Sequence, residues 1–592
     1  MSAPGPKRPV RIANCSGFYG DRLAAPREML EGPDPIDVLT GDYLAELTML
    51  ILWKAMQKDP GAGYATTFVR QMEDVLGTCL DRGVKVVTNA GGLNPRGLAA
   101  RLDDLAGRLG LSPRIAVVEG DDILDQLGDL QAAGETLAHA DTGQPLAAAG
   151  VEPVTANAYL GGWGISAALS AGADVVVCPR VTDASLVSGP AAWWHGWGRG
   201  DWDRIAGAVV AGHVIECGPQ ATGGNYSLLA ELPDDRYPGF PIAEVAHDGS
   251  SVITKQPGTG GAVTTGTVTA QLLYEIAEPA YANPDVMARF DTIGLHSAGH
   301  DRVLISGVAG LPPPPRLKVA INYPGGYRNT MTMVITGLDI EAKAARAEAM
   351  LWQSLGGRDQ FAAVDVRLIR TDQPDPATNE QGTAQLRVTV KDPDPARVGR
   401  RFSNAVTELS LASYSGFFTT TPPSSESSYG VYWPTFVPAG GVTHTVVGPD
   451  GTSQVIPHSP SMPIDRGDIA APVAAVDLSE PTGRRALGTL CGARSGDKGG
   501  NANVGVWTWD DRAYDWLRAF LDTRRLQALI PEAAGLEVRR FELPNLRALN
   551  FVIVGLLGEG VASSVRTDPQ AKGLGEYLRS RCVEVPLSLI SL

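Results

Sequence analysis

The chain has 592 residues, 44% of them hydrophobic, which is enough for several domains with substantial cores. Its 65 acidic and 50 basic residues give a formal net charge of -15, which argues against nucleic acid as a partner. The most apolar windows, residues 44–53 and 549–557, are shorter than the roughly 20 residues of a spanning helix, so we expect no membrane association. The start has no apolar signal core and the six cysteines form no CxxC pair, so we expect a cytoplasmic protein.

Short apolar runs alternate with helical segments through the first third of the chain. Runs of valine without polar alternation are typical of strands buried on both faces of a parallel sheet. Polar residues follow these runs, at the carboxyl ends where α/β proteins bind ligands. The sequence predicts one parallel α/β sheet with six strands, at residues 10–14, 36–39, 84–87, 114–118, 173–178 and 213–217.

Glycine-rich turns follow the first and third strands. The turn CSGFYGDR offers backbone amides to a phosphate, although it is neither GxGxxG nor a P-loop and also fits a plain strand-to-helix turn. The turn TNAGGLNP precedes a helix whose first-turn amides suit an anion or carboxylate. The candidate binding residues of these two turns are Asn14, Gly17, Asp21, Arg22, Asn89, Gly91 and Gly92.

An acidic cluster, EGDD, follows the fourth strand. Glu119, Asp121 and Asp122 are oxygen ligands of the kind that a divalent cation takes, although such a cluster is more often a solvated acidic turn. His296 and His300 lie four residues apart without the glutamate of HExxH, so we expect no zinc site there. A divalent cation is therefore one alternative for this cluster.

Two loops, PRVTDAS and GPQATGGNY, follow the last two predicted strands. Arg180 and Asp183 are candidate pocket residues, because a short loop cannot bury two charges without compensation. Cys178 and Cys217 each end a predicted strand. Either could be a nucleophile if a nearby cation lowered the pKa of its thiol, or a small buried hydrophobe, and both are candidate binding residues. Glu216 would need a partner if it pointed inward, and His213 is expected at the far edge of the sheet. The second loop adds three binding candidates: Thr222, Gly223 and Gly224.

From residue 236 the pattern changes to an α+β lobe. The segment TKQPGTGG can form an anion nest with Lys255, Gly258, Thr259 and Gly260, or a structural turn. A helix is predicted at 339–355, with strands at 363–369 and 384–391. The predicted domains are a parallel α/β lobe at 1–235, an α+β lobe at 236–452, a linker at 453–485 and a small α+β domain at 486–592.

The small domain contains an unusually polar stretch at residues 494–503. It holds Arg, Asp, Lys, three glycines and two asparagines between two predicted strands, more than a hairpin turn needs. We therefore expect a ligand or an interface there. Its candidate binding residues are Arg494, Ser495 and Asn501.

These motifs together resemble the acyclic terpene utilisation AtuA family, over nearly the whole chain. The motifs that carry the resemblance are NCSGFYGDR, TGDYLAE, TNAGG, CPRVTDAS, ECGPQATGGNY, TKQPGTGG and RSGDKGGNAN. The resemblance implies a large domain joined to a small ferredoxin-fold domain. It also implies a bacterial catabolic role in the degradation of branched, terpenoid-derived acids as CoA thioesters, and it assigns no mechanism.

Two functional hypotheses follow. The first is a lyase or hydratase acting on a branched carboxylic acid or its CoA thioester, with CoA present only as part of the substrate. In it, Asp183 is the base, Arg180 binds carboxylate, Asn225 and the neighbouring amides hold an oxyanion, and Lys498 and Asp497 complete the pocket. The second is a non-catalytic acyl-CoA-binding or assembly subunit. In either case we expect a homo-oligomer.

Overall fold

The computed structural model describes residues 7–461 and 480–590, so residues 462–479 of the predicted linker lie outside the described residues. The chain forms two compact units. The first comprises Met1–Asn322, Tyr432–Val561 and Asp568–Leu592, and the second comprises Tyr323–Val431 and Ala562–Thr567. Within the described residues, no helix combines the length and apolar character needed to cross a membrane.

Five parallel strands form the centre of the largest sheet, which belongs to the first unit. Their valine-rich sequences are buried on both faces, as the sequence predicted. In spatial order they are Val10–Asn14, Val38–Gly41, Lys85–Thr88, Val175–Val177 and Ile115–Glu119. The α/β fold class and these five strands are therefore confirmed.

Antiparallel strands extend this sheet on both sides. Pro241–Val245 pairs with the first strand, and on the far side Thr445–Val447 pairs with Ile115–Glu119. The remaining strands of the sheet are Ser251–Lys255, Gly294–Ser297, Val303–Ser306 and Ser453–Val455. A separate three-stranded sheet contains Ala280–Ala282, Met287–Arg289 and Ala309–Leu311.

Helices cover the faces of the sheet. Thr66–Arg82 and Pro95–Leu109 bury one apolar stripe each against it and end at glycines in the left-handed conformation. The other helices of this region are Ala25–Glu31, Glu46–Met56, Leu127–Ala132, Leu146–Ala149, Trp163–Ser170, Ser185–His195, Trp202–Ile215 and Thr265–Leu272.

The predicted sixth parallel strand, at residues 213–217, is wrong. Residues 213–215 are the end of helix Trp202–Ile215, in which every residue from Ile205 onward is buried. A helix that is apolar on all sides shows no 3.6-residue alternation, so its sequence cannot be told from that of a buried strand. The predicted position of His213 at the far edge of a sheet is wrong for the same reason, since it lies buried on this helix.

The second unit is an α+β lobe of its own. The strand Arg316–Thr336 begins in the first unit, where it pairs with Thr155–Ala158, and continues into the second. There it pairs with Thr383–Asp392, which in turn pairs with Ala363–Arg370. The helices Ile340–Leu355 and Arg400–Glu408 pack on these strands around buried Met333, Leu351 and Phe402. The short helix Pro395–Val398 and the strand Phe418–Thr419 also belong to the lobe, and the strand Ser427–Pro438 begins in it and continues into the first unit.

The C-terminal residues form a four-stranded antiparallel sheet backed by helices. The strand order is Gly492–Lys498, Asn501–Trp507, Ala548–Ile553 and Val538–Leu543. Asp511–Phe520, Thr523–Leu529 and Leu574–Ser580 cover the face that buries Val504, Leu517 and Phe551. Thr482–Ala486 and Cys582–Pro586 form a separate ribbon, followed by Leu587–Ile590.

The polar stretch at 494–503 is a tight hairpin rather than a long loop. Only Gly499 and Gly500 separate its two strands, and the pairing runs from Gly492 opposite Trp507 to Lys498 opposite Asn501. Its polar side chains are therefore carried by regular strands, which fixes the direction in which each one points.

Candidate active site

Five polar side chains lie at the carboxyl edge of the parallel strands. Each one ends its strand or follows it within three residues, and all are at least nine-tenths buried. Because parallel strands end at the same edge of a sheet, these residues share one region, as the sequence predicted. They are Asn14, Asp42, Asn89, Asp121 and Arg180.

Asp42 is held by two hydrogen bonds. Asn89 Nδ2 donates to its carboxyl at 2.6 Å and the amide of Leu44 donates at 3.1 Å, while Asn89 Oδ1 accepts from the amide of Tyr43 at 2.8 Å. Burial, together with the negative charge of Asp183, raises the pKa of Asp42 well above its usual range. The carboxyl therefore keeps its proton to a higher pH than a free aspartate does.

Arg180 and Asp183 form an ion pair. Arg180 Nη1 lies 2.7 Å from Asp183 Oδ1, and it also donates to the carbonyl of Leu44 at 3.0 Å. The guanidinium stacks over the ring of Tyr159 at 4.2 Å from its centroid. The arginine side chain is 5% exposed and the aspartate 30%, so the carboxylate is the part of the pair that other molecules can reach.

Asp121 holds the backbone of Arg180 in place. It accepts hydrogen bonds from the backbone amide of Arg180 at 3.2 Å and from Asn157 Nδ2 at 2.8 Å. Burial raises the pKa of Asp121 to about 7. This carboxyl thus fixes the loop after the strand rather than reaching toward solvent.

Glu216 and His213 bring a second acidic position to the same region. Glu216 follows the helix Trp202–Ile215 directly, and His213 Nδ1 lies 3.4 Å from its Oε1. Burial raises the pKa of Glu216 well above its usual range, and the charges of Asp183 and Glu275 raise it further. Burial also lowers the pKa of His213 to about 4, so the imidazole is neutral at physiological pH.

The hairpin of the C-terminal domain closes the region from the other side. Lys498 Nζ donates to the carbonyl of Glu275 at 2.8 Å, and the amide of Glu275 donates to Asn503 Oδ1 at 2.9 Å. The positive charge of Lys498 acts on Glu216, partly opposing the rise in its pKa. The structure thus places Lys498 beside Glu275 and near Glu216, and its part in the pocket stays a prediction.

Arg494 lies on the same face of the hairpin. It donates through Nη2 to Gln220 Oε1 and stacks over Tyr274 at 4.2 Å from the ring centroid. Asp497 lies close enough to Tyr274 to raise its pKa, after the larger effects of burial and Glu275. Asn501 Nδ2 donates to Asp141 Oδ1 at 2.8 Å. The polar stretch at 494–503 thus forms an interface within the first unit.

Ser495 points away from this interface. Its hydroxyl donates to the carbonyl of Lys572 at 3.1 Å and accepts from the amide of Gly575 at 2.8 Å. Alternate residues of a strand face opposite sides, so Ser495 faces the domain's own helix while Arg494 faces the large domain. The binding role predicted for Ser495 is corrected accordingly.

Cys178, which follows the strand Val175–Val177, is a buried thiol, and Cys217, which follows the helix Trp202–Ile215, is partly buried. Burial raises the pKa of both Cys178 and Cys217 well above the usual range, and Glu216 adds to the effect on Cys217. The backbone of Cys178 is also closely covered, because a Cβ added to Gly91 would lie 2.5 Å from its carbonyl oxygen. The neighbouring Gly92 adopts a positive φ of 50°. These glycines serve close backbone packing.

The structure does not support the predicted oxyanion donors. The amides of Gly223 and Gly224 both donate to the carbonyl of Pro219, and Asn225 is exposed to solvent. Thr222 donates its hydroxyl to the carbonyl of Gly239 at 2.6 Å. A tight turn uses these groups internally, which the sequence pattern could not show.

The predicted anion nest at Lys255 is likewise occupied by protein groups. Lys255 Nζ lies 3.0 Å from Asp301 Oδ2 and donates to the carbonyl of Thr259 at 2.9 Å. The carbonyl of Gly258 accepts from Arg236, and that of Gly260 accepts from the amide of Gly239. The charge of Lys255 is thus neutralised by Asp301, which lies outside the segment, and the segment is a structural turn.

Backbone amides of the first glycine-rich turn also have hydrogen-bond partners within the turn. Asp21 accepts from the amides of Gly17 at 2.8 Å and Arg22 at 2.7 Å, and Arg22 pairs with Glu28. Asn14 Nδ2 donates to the carbonyl of Glu216 at 3.2 Å. This turn therefore positions Glu216 and does not present free amides through the residues predicted to bind phosphate.

The three acids considered for a cation take separate protein partners. Glu119 pairs with Arg96, Asp121 binds Asn157, and Asp122 accepts from the amide of Leu124. In residues 7–461 and 480–590, no group of three or more His, Cys, Asp and Glu side chains is arranged to hold a metal ion.

Sequence reasoning missed two residues of the region, Asp42 and Glu275, and misplaced two others, Glu216 and His213. Asp42 carries the same signal as Arg180, a polar residue directly after a strand. Glu216 and His213 were misplaced because their helix resembles a strand. Glu275 follows helix Thr265–Leu272 without any motif in the sequence, and Lys498 of the C-terminal domain contacts it there.

Two family models match the chain. The model of the acyclic terpene utilisation family protein AtuA matches residues 10–447, and the AtuA ferredoxin-like domain matches residues 485–584. The chain belongs to the AtuA family. This confirms the resemblance and the ferredoxin-like character of the C-terminal domain, and it links the AtuA fold to acyclic terpene utilisation. No curated protein and no solved structure matches the chain.

Proposed function

We propose that this AtuA protein is an acid–base enzyme, a lyase or hydratase that acts on a branched carboxylic acid or its CoA thioester. The observation that carries the proposal is the Arg180–Asp183 ion pair beside Asp42 and Glu216. Pairs of carboxyl groups whose environments favour different protonation states are how one site supplies both an acid and a base. Family membership supports the catabolic context.

In the proposed reaction Asp183 removes a proton from the carbon beside the substrate carbonyl. Its ion pair with Arg180 holds the carboxylate in one orientation, and its partial exposure gives access to substrate. The electron pair of the broken C–H bond forms a carbon–carbon double bond as the leaving hydroxyl departs. The reverse direction adds water to the double bond.

Glu216 is the proposed acid. Its raised pKa keeps a proton on the carboxyl, and that proton goes to the departing hydroxyl so that water leaves. Lys498 and Arg180 bring positive charge to the carboxylate or thioester oxygen, on which negative charge develops during proton removal. The domain that carries Lys498 is then part of the site.

The experiment incubates purified protein with branched unsaturated acids and their CoA thioesters and follows gain or loss of water, or cleavage, by mass spectrometry. Asp183→Asn should lower turnover at least about 100-fold. The matched control is Asp201→Asn, because Asp201 pairs with Arg204 at the same three-residue spacing on the surface and should leave turnover unchanged. Full turnover by Asp183→Asn refutes the role of Asp183. Binding of the thioesters without conversion favours the non-catalytic subunit.

A further inference from the structure

The strand Ala363–Arg370 is the edge of the sheet in the second unit. One side pairs with Thr383–Asp392, and among residues 7–461 and 480–590 no strand pairs with its other side. Its six central residues are all partly exposed. An open edge of this length presents a row of N–H and C=O groups to which another strand can pair.

Neighbouring hydrogen bonds show which groups point outward. The amide of Thr420 donates to the carbonyl of Thr332 at 3.2 Å, so Thr332 faces away from strand Thr383–Asp392. Arg387, which lies opposite Thr332, must then point its N–H and C=O groups away from Thr332. They point toward Arg367 on the strand Ala363–Arg370. Successive residues alternate sides. The outward N–H and C=O groups therefore belong to Val364, Val366 and Leu368.

A groove runs beside this edge. It has a volume of about 590 Å³ and lies between the strand and the helix Ile340–Leu355. Ala344 and Ala345 of the helix line it, together with Val364, Val366 and Leu368 of the strand. Small alanine side chains leave room for branched apolar side chains from a further strand placed alongside.

The sequence of the edge strand is complementary to itself. With a two-fold axis at Val366, that residue pairs with Val366 of a second copy, and Val364 pairs with Leu368. Asp365 of each copy then lies opposite Arg367 of the other copy, so that opposite charges face each other at two places. An axis at Asp365 or at Arg367 instead places like charges opposite each other, which is unfavourable.

We propose that two copies of this chain associate by antiparallel pairing of their Ala363–Arg370 strands about a two-fold axis at Val366. The outward peptide groups of Val364, Val366 and Leu368 then hydrogen-bond to the second copy. The apolar side chains of each strand extend the groove lining of the other. Such an isologous contact closes on itself, so assembly stops at a dimer.

Charge reversal tests the pairing by light scattering coupled to size exclusion. The wild type should have twice the 62.3 kDa mass of one chain. Asp365→Arg and Arg367→Asp should each give the mass of one chain, because like charges then face each other. The double variant should regain the dimer mass. Circular dichroism checks that every variant is folded. A monomeric wild type, an oligomer indifferent to the single changes, or a folded monomeric double variant overturns the proposal.

Disulfide trapping tests the position of the axis. In a background where exposed Cys582 is replaced by serine, Val366→Cys should form a cross-linked dimer on mild oxidation, since paired residues lie within disulfide range. Val364→Cys is the matched control, because that position faces Leu368 and should give no cross-link. Equal cross-linking of both variants, or none by Val366→Cys, contradicts the register.

Discussion

Lys498 of the C-terminal domain donates a hydrogen bond to the carbonyl oxygen of Glu275 over 2.8 Å. The contact is between residues far apart in the chain, and it brings an ammonium group near Glu216, where its positive charge opposes the rise in pKa. The small domain is thereby a part of the candidate site rather than an appendage to it.

Replacing Lys498 with methionine should lower kcat/KM about 100-fold, since a positive charge held next to developing negative charge contributes about that much. The chain length of methionine preserves most of the packing. Lys343→Met, in the second unit, should leave kcat/KM unchanged. Equal activity of the two variants would exclude Lys498 from the site.

Glu216→Gln should make unfolding less sensitive to alkaline pH. A carboxyl with a raised folded pKa binds more protons in the folded state, so its contribution to stability falls as pH rises above the unfolded value of about 4.3. Each unit of upward shift costs about 1.4 kcal/mol once both states are ionised. The denaturant concentration at the unfolding midpoint should therefore decrease less between pH 5 and pH 8 in the variant than in the wild type. An equal decrease in the two proteins would contradict the raised pKa of Glu216.

His213→Gln should make unfolding less sensitive to acidic pH. The folded pKa of His213 is about 4 against about 6.5 unfolded, so the unfolded state binds more protons between these values and stability falls as pH drops through the window. The penalty approaches about 3 kcal/mol at pH 4. The unfolding midpoint should decrease more between pH 7 and pH 4.5 in the wild type than in the variant. An identical acid sensitivity would contradict the lowered pKa.

Gly91→Ala should destabilise the first unit by about 1–3 kcal/mol, because the new Cβ would lie 2.5 Å from the carbonyl oxygen of Cys178. Gly107→Ala is the matched control. It lies exposed within helix Pro95–Leu109 with no atom within 4 Å of the added Cβ, and it should stabilise by about 0.5–1 kcal/mol. Thermal unfolding distinguishes the two. A tolerated Gly91→Ala would mean that the two loops can separate at little cost.

The parallel sheet could be predicted because each of its strands is a short valine-rich run ending in polar residues. That rule also placed Arg180 and Asp183 at the site. It failed at His213 and Glu216, where a fully buried helix imitates a strand. It also over-interpreted the turns at Asn225 and Lys255, whose amides and charge are satisfied by carbonyls and an aspartate that only the folded chain brings near.

The order of the chain has a consequence for biosynthesis. Asp42, Asp183, Glu216 and Glu275 leave the ribosome well before the hairpin that carries Lys498. A nascent protein can therefore complete the large sheet while its cluster of acids still lacks the ammonium group supplied at the end of translation. Premature termination before the hairpin would yield a product with the carboxyls assembled and that counter-charge missing.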